Sequence, residues 1–268
     1  MAQPMTAKQF IDLLTEWNIP FKAIHPDWAT HNRNHKGNWG PVNGVALHHT
    51  GSDDQKDMPA YLWSGDAELP GPLCHGGIDL GGTVLLCGWG RCNHAGLGDG
   101  NVLEKVISED YTGNLKPKVQ DTDGNARFYG FEIMYSGKHV MSDAQLYTAV
   151  RVSAAICTFH NWKPESVIGH GEWSTQKWDP GYKWDAKLQK GYMYDMSLMR
   201  ARVNAEIAYG PAGKPKPVQR THKVIAGETP WQIAKKELGD GSRWPEIIKL
   251  NTETIVLTPG QLLKLPPK

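Results

Sequence analysis

Apolar positions at helical three-four spacing alternate along the chain with short apolar runs, the signature of helices and strands taken in turn. Phe10, Leu13, Leu14 and Trp17 share one face of a helix over residues 6–17, with Thr6 placed to cap it. Val42 to Leu47 reads as a buried strand that ends in His48-His49 and a turn at Gly51. A helical piece follows over 59–63, and residues 78–86 read as a hairpin joined at Gly81-Gly82. Phe128 to Tyr135 is an apolar strand holding one carboxylate, Glu132. Leu146, Val150, Ala154 and Cys157 fall in register on a helix over 142–162 behind a Ser142 cap, Val167-Ile168 is a short strand, and 195–208 is a closing helix. Residues 25–40, rich in His, Asn, Gly and Trp, read as a long loop. Strands alternating with helices predict an α/β domain with a mixed central sheet flanked by helices.

The pattern then changes. Tyr209 to Pro217 is a Pro/Gly/Lys stretch, stiff and extended, and beyond it the order is strand, turn, helix, second helix, second strand. For 268 residues, one large domain plus a small one is expected. The predicted boundaries are 1–208, a linker over 209–220, and a small α+β domain of βααβ order over 221–268.

The near-neutral net charge of +1 hides an asymmetry. Residues 209–268 hold 10 Lys/Arg against 5 Asp/Glu, net +5, which leaves 19 against 23 in the rest, net −4. A basic tail suits a polyanionic surface, although a solvated charged face explains so modest an excess as well. No array of aromatic and basic residues supports a nucleic-acid partner. No run approaches ~18 apolar residues, so no membrane span is expected. The N-terminus lacks the charged start and apolar core of a signal peptide. Cys74, Cys87, Cys92 and Cys157 are too few for a disulfide framework and read as buried small hydrophobes. Cys87, Cys92 and His94 do not match a usual zinc spacing, and His25, His31 and His35 lie in an irregular loop with no carboxylate repeating beside them.

Candidate chemistry concentrates in Ile168 to Gly181, which places His170, Lys177 and Asp179 within ten residues. Pro180 removes a donor and disfavours helix at Asp179, so Lys177 to Gly181 is a loop. Alone, this segment fits a surface loop as well as a metal site. The histidines ending the strand at 48–49 add to it. Adjacent strand residues face opposite ways, so only one of the pair can face a given site. His48, His170 and Asp179 make a His-His-carboxylate set that leaves one coordination position open, as a catalytic zinc requires. Glu132, isolated in an apolar strand, needs either an outward-facing position or a chemical task.

Four motifs in order, Leu47-His48-His49-Thr50, Asn93-His94-Ala95-Gly96, Tyr129-Gly130-Phe131-Glu132-Ile133 and His170 with Lys177-Trp178-Asp179-Pro180-Gly181, resemble the zinc-dependent N-acetylmuramoyl-L-alanine amidases of the amidase-2 type. This family includes phage endolysins and peptidoglycan recognition proteins, and the resemblance covers roughly residues 40–200. It implies Zn2+ held by His48, His170 and Asp179, with Glu132 as general base and Lys177 stabilising the oxyanion. It also suggests substrate contacts from His94 and Trp173. With a metal nearby, Glu132 is expected to be ionised at neutral pH. Cys74 stands where relatives have a tyrosine, and a thiol lacks that side chain's reach.

Residues 221–266 resemble a LysM module, from Thr221-His222-Lys223-Val224 through Trp244-Pro245-Glu246-Ile247 to Leu262-Leu263-Lys264-Leu265. The resemblance implies glycan contacts from Glu228, Thr229, Pro230, Asn251 and Ile255; Pro230 departs from the usual Leu. Together the two resemblances imply a monomeric peptidoglycan hydrolase cutting the bond between N-acetylmuramic acid and L-alanine. A phage endolysin, made in the host cytoplasm and acting at the cell wall after release, fits best. The alternatives are a catalytically silent peptidoglycan-binding protein and a cytosolic muropeptide-recycling amidase.

Overall fold

The computed structural model describes residues 2–211, 221–251 and 257–266. The chain divides into two compact units, Met1–Gly213 and Lys214–Lys268. The first unit runs α1 (Ala7–Glu16), β1 (Phe21–Ala23), β2 (Gly44–His49), α2 (Met58–Ser64), β3 (Gly76–Ile78), β4 (Val84–Leu86), β5 (Leu97–Gly98), α3 (Gly100–Ser108), β6 (Thr122–Asp123), β7 (Phe128–Ile133), α4 (Asp143–His160), β8 (Val167–Gly169), α5 (His170–Trp173), β9 (Gly181–Asp185), β10 (Lys190–Met193) and α6 (Met196–Tyr209).

Six strands form one mixed sheet in the order β1-β4-β3-β7-β2-β8, in which only the β3–β4 pair is antiparallel. The predicted mixed sheet flanked by helices is what forms. Capping boxes start α1 at Thr6–Gln9 and α4 at Ser142–Gln145, as the Ser and Thr positions imply.

Strand alternation assigns the two faces. In the β2–β7 register, Val45 pairs with Tyr129, Leu47 with Phe131 and His49 with Ile133; Ala46 pairs with Gly130 and His48 with Glu132. Val45, Leu47, Tyr129, Phe131 and Ile133 of the first set pack into the main core with Phe10 and Leu14 of α1, Ala149 and Val152 of α4, and Met199 and Val203 of α6. The second set faces the other way, above a smaller core of Ala95, Val106, Phe128, Ile168 and Trp173. His48 and Glu132 therefore project side by side from one face, near the carboxyl ends of parallel strands, the usual place for a site in an open α/β sheet. α5 follows β8 directly and brings His170 to the same end.

The second unit runs β11 (Thr221–Lys223), α7 (Pro230–Leu238), α8 (Trp244–Leu250) and β12 (Leu262–Lys264), with β11 and β12 antiparallel. Its core is Val224, Ile233, Ala234, Ile247, Leu263 and Leu265. The predicted linker lies outside the described residues from 212 to 220, as does Ile255.

Candidate metal centre

His48 Nδ1, His170 Nδ1 and Asp179 Oδ2 form a triangle with sides of 2.9, 3.2 and 3.1 Å. Donors ~2.0–2.2 Å from a tetrahedral zinc stand about 3.3 Å apart, so the triangle is close to the size that ion needs. Among the described residues, this is the only group of three or more His, Cys, Asp or Glu side chains gathered as a metal would need. All three are buried. Burial, reinforced by the neighbouring His170, lowers the pKa of His48 to about 4 against the pull of Asp179, so the imidazole is neutral, the form that ligates. Burial opposes ionisation of Asp179, yet the contacts with His170 and His48 outweigh it and hold the carboxyl well below its ordinary range.

The surroundings fix each donor. His170 Nε2 lies 3.1 Å from the Ala95 carbonyl, which can only accept, so that nitrogen carries the proton and Nδ1 is bare. His48 Nε2 lies 3.0 Å from His94 Nδ1. α5 is anchored by Glu172, which accepts from the Gly169 and Leu115 amides and forms a buried pair with Arg200 at 2.8 Å. Breaking such a pair by removing one partner typically costs ~3–5 kcal/mol.

The Asp179 loop is held through its backbone. The Asp179 carbonyl accepts from the Gly171 amide, the Pro180 carbonyl from Tyr194, and the Gly181 carbonyl from the Tyr135 hydroxyl; the Gly181 amide donates to His49 Nδ1 at 2.9 Å. The second histidine of the pair thus clamps the loop that carries the third donor. Strand alternation allows only one histidine of the pair at the site and says nothing of this task for the other.

Glu132 stands beside His48 in register, and its Oε2 is shielded and has no hydrogen-bond partner among the described residues. Burial raises its pKa well above 4.5; the Asp179 charge adds to this and Lys177 opposes it. That direction belongs to the metal-free protein; the ionised state expected from sequence is the one with a cation held in the donor triangle. Lys177 is exposed on the loop before Asp179, near enough for its charge to act on His48 and Glu132.

Two expected substrate contacts are corrected. Trp173 is fully buried, its ring over Gly98 and Gly124, where an added Cβ would come within 2.1 and 2.6 Å of it. It supports the site from beneath and presents nothing to a substrate. His94 is also buried, its ring over Gly130, where a Cβ would come within 2.4 Å. Its Nδ1 faces His48, and its Nε2 is shielded from solvent. Cys74 packs among Leu62, Leu85, Cys87 and Met134, where burial, then Cys87, pushes its thiol far up, so it offers no thiolate. All four cysteines are free and buried.

In the second unit, three of the expected glycan contacts are engaged internally. Glu228 binds His222 at 2.7 Å and the Ile225 amide, the Thr229 hydroxyl caps α7, and Asn251 ties α8 to Lys264 of β12. Pro230 is half-buried in the first turn of α7.

The family profile for N-acetylmuramoyl-L-alanine amidase (Amidase_2) matches residues 38–182, more than half of the chain. The protein belongs to this amidase family. Solved structures similar to it include the following three. The endolysin N-acetylmuramoyl-L-alanine amidase LysCS from Clostridium intestinale URNW is 16% identical, with 63% of this chain and 92% of that chain covered and a TM-score of 0.42. The selenomethionine derivative of AmpD is 17% identical over 62% and 89%, at a TM-score of 0.37. The Staphylococcus aureus hydrolase AmiA in complex with its ligand is 14% identical over 76% and 93%, at 0.42. No curated protein matches the chain in sequence. Among the described residues, no helix is long and apolar enough to cross a membrane.

Proposed function

We propose that the first unit is a zinc-dependent amidase that cleaves peptidoglycan between N-acetylmuramic acid and L-alanine. The observation that carries this reading is the meeting of His48, His170 and Asp179 with Glu132 beside them at one end of the sheet. The donor set fits zinc in size, in its neutral imidazoles and in its carboxylate. When bound, the ion supplies Lewis acidity, polarising a carbonyl and lowering the pKa of water to roughly 7. Glu132 moves the proton: its unpartnered Oε2 takes one from the attacking water and returns it to the leaving amine. Lys177, exposed at the rim, brings a cation to the oxygen that becomes negative. His49 and Tyr135 keep the Asp179 loop in place.

Mass spectrometry of digested peptidoglycan tests the bond. Free L-alanine amino termini with intact glycan strands are expected; cleavage within the glycan or between stem-peptide residues would refute the assignment. A silent binding protein is the less favoured alternative, because the donor set is complete.

The reading extends to the second unit as a LysM glycan-binding module, supported by its βααβ order and small core. A wall-binding module beside an amidase suits an endolysin working on polymeric wall better than an enzyme recycling soluble muropeptides, since tethering raises local substrate concentration without new catalytic contacts. A chain ending at Gly213 should retain turnover on soluble muropeptides and lose binding to insoluble walls. Unchanged sedimentation of this shortened chain with walls would refute the module's role.

A further inference from the structure

Both ligand histidines are held from behind by one loop. His94 Nδ1 meets His48 Nε2 at 3.0 Å and the Ala95 carbonyl meets His170 Nε2 at 3.1 Å, so residues 94–95 supply the partners for both imidazoles. The loop is shaped by a single atom. The amides of His94, Ala95 and Gly96 all donate to Asn125 Oδ1, at 2.9, 2.7 and 3.2 Å. Three successive N–H groups converging on one acceptor form a nest, and only the oxygen end of the amide can fill it. Asn125 is itself buried and anchored. Its backbone amide donates to Asp123, whose carboxylate pairs with Arg91 at 2.6 Å, and the adjoining Gly124 amide donates to the Gly96 carbonyl.

We propose that Asn125 is a positioning residue for the metal centre: by gathering the 94–96 amides it sets the His94 ring and the Ala95 carbonyl where they hold the Nε2 protons of His48 and His170 and turn both Nδ1 lone pairs to the metal. Asn125 touches neither ligand and acts only through the loop. The inference rests on the reading that His48, His170 and Asp179 bind zinc. Partners behind metal-bound histidines orient the rings and fix the tautomer, and their loss typically costs ~10–100-fold in metal affinity.

The test compares zinc dissociation constants, from chelator competition, for wild type, Asn125→Leu and Asn125→Asp, with thermal melting of each metal-free protein as the check on folding. Asn125→Leu fills the space without an acceptor and should weaken zinc binding by ~10–100-fold. Asn125→Asp keeps the acceptor and should stay within about threefold of wild type, well inside that range. A cobalt-substituted Asn125→Leu protein should also show an altered visible absorption spectrum, which a change in global stability alone would not produce. Wild-type affinity in a folded Asn125→Leu protein would overturn the proposal. Long-range 1H–15N spectra of zinc-loaded wild type read the same claim without any variant: both histidines should carry the proton on Nε2, and a proton on Nδ1 of either would overturn it even if the Leu variant fails to fold. Absence of zinc binding by wild type would remove the metal reading and this inference with it, whereas normal binding with indifferent variants would remove this inference alone.

Discussion

His170→Ala protein should come through purification without stoichiometric zinc and without measurable amidase turnover, while wild type carries one zinc per chain. His170 supplies one corner of a three-donor triangle, and its Nδ1 is within 3.1 Å of both other donors. Alanine leaves two donors and an apolar gap in a buried site. Lewis-acid assistance is worth several kcal/mol, so its loss lowers turnover by at least about a thousandfold. Elemental analysis and turnover on the same preparation check this. Equal zinc in both proteins would show that His170 is not a ligand.

Glu132→Gln should lose ~10²–10⁴ in kcat, the range for removing a general acid–base group, with zinc content unchanged. The carboxyl stands beside the donor triangle and outside it. The same substitution should stabilise the metal-free fold at neutral and higher pH. Burial raises the folded pKa of Glu132 above its ordinary 4.5. Its contribution is therefore fully present below 4.5 and is lost as pH rises through the folded value, where ionisation sets a charge in an enclosed place. A glutamine side chain carries no such charge. Melting of the two metal-free proteins should converge near pH 4 and separate as pH rises, with the Glu132→Gln protein melting higher. Rate lost with stability gained marks a group retained for chemistry. Lys177→Ala should lose ~10²–10³ as an oxyanion-stabilising group. Cys74→Ser should keep most of its turnover, because the thiol takes no step. Near-wild-type kcat for Glu132→Gln would overturn the role given to it.

Much of this was legible in the chain. The apolar runs in Val42 to Leu47 and Phe128 to Tyr135 mark two strands, and His48 and Glu132 emerge together once those strands pair in register. The Pro180 punctuation marks the Asp179 loop. What escaped was set by contacts distant in sequence. Asn125 lies in an Asp-Gly-Asn segment that reads as an ordinary turn, and its three amide partners are 29 to 31 residues away. The β9–β10 hairpin is rich in lysine and glycine and looks like a loop; Gly191 is needed because the Trp178 ring lies where a Cβ would be, 2.1 Å away. Trp173 stands so close to His170 in sequence that a place in the cleft was a natural expectation, but its indole replaces two missing Cβ atoms in the core.

The wide spacing of the donors has a consequence for how the protein matures. His48 and His170 are 122 residues apart, and joining them in an unstructured chain costs about 4 kcal/mol in closure entropy. Only the short step from His170 to Asp179 is local. A nascent chain therefore offers the metal a weak two-point grip until β2 and β8 have joined in the sheet. On the proposed zinc reading, loading is expected to follow assembly, the ion sealing a framework that is already formed.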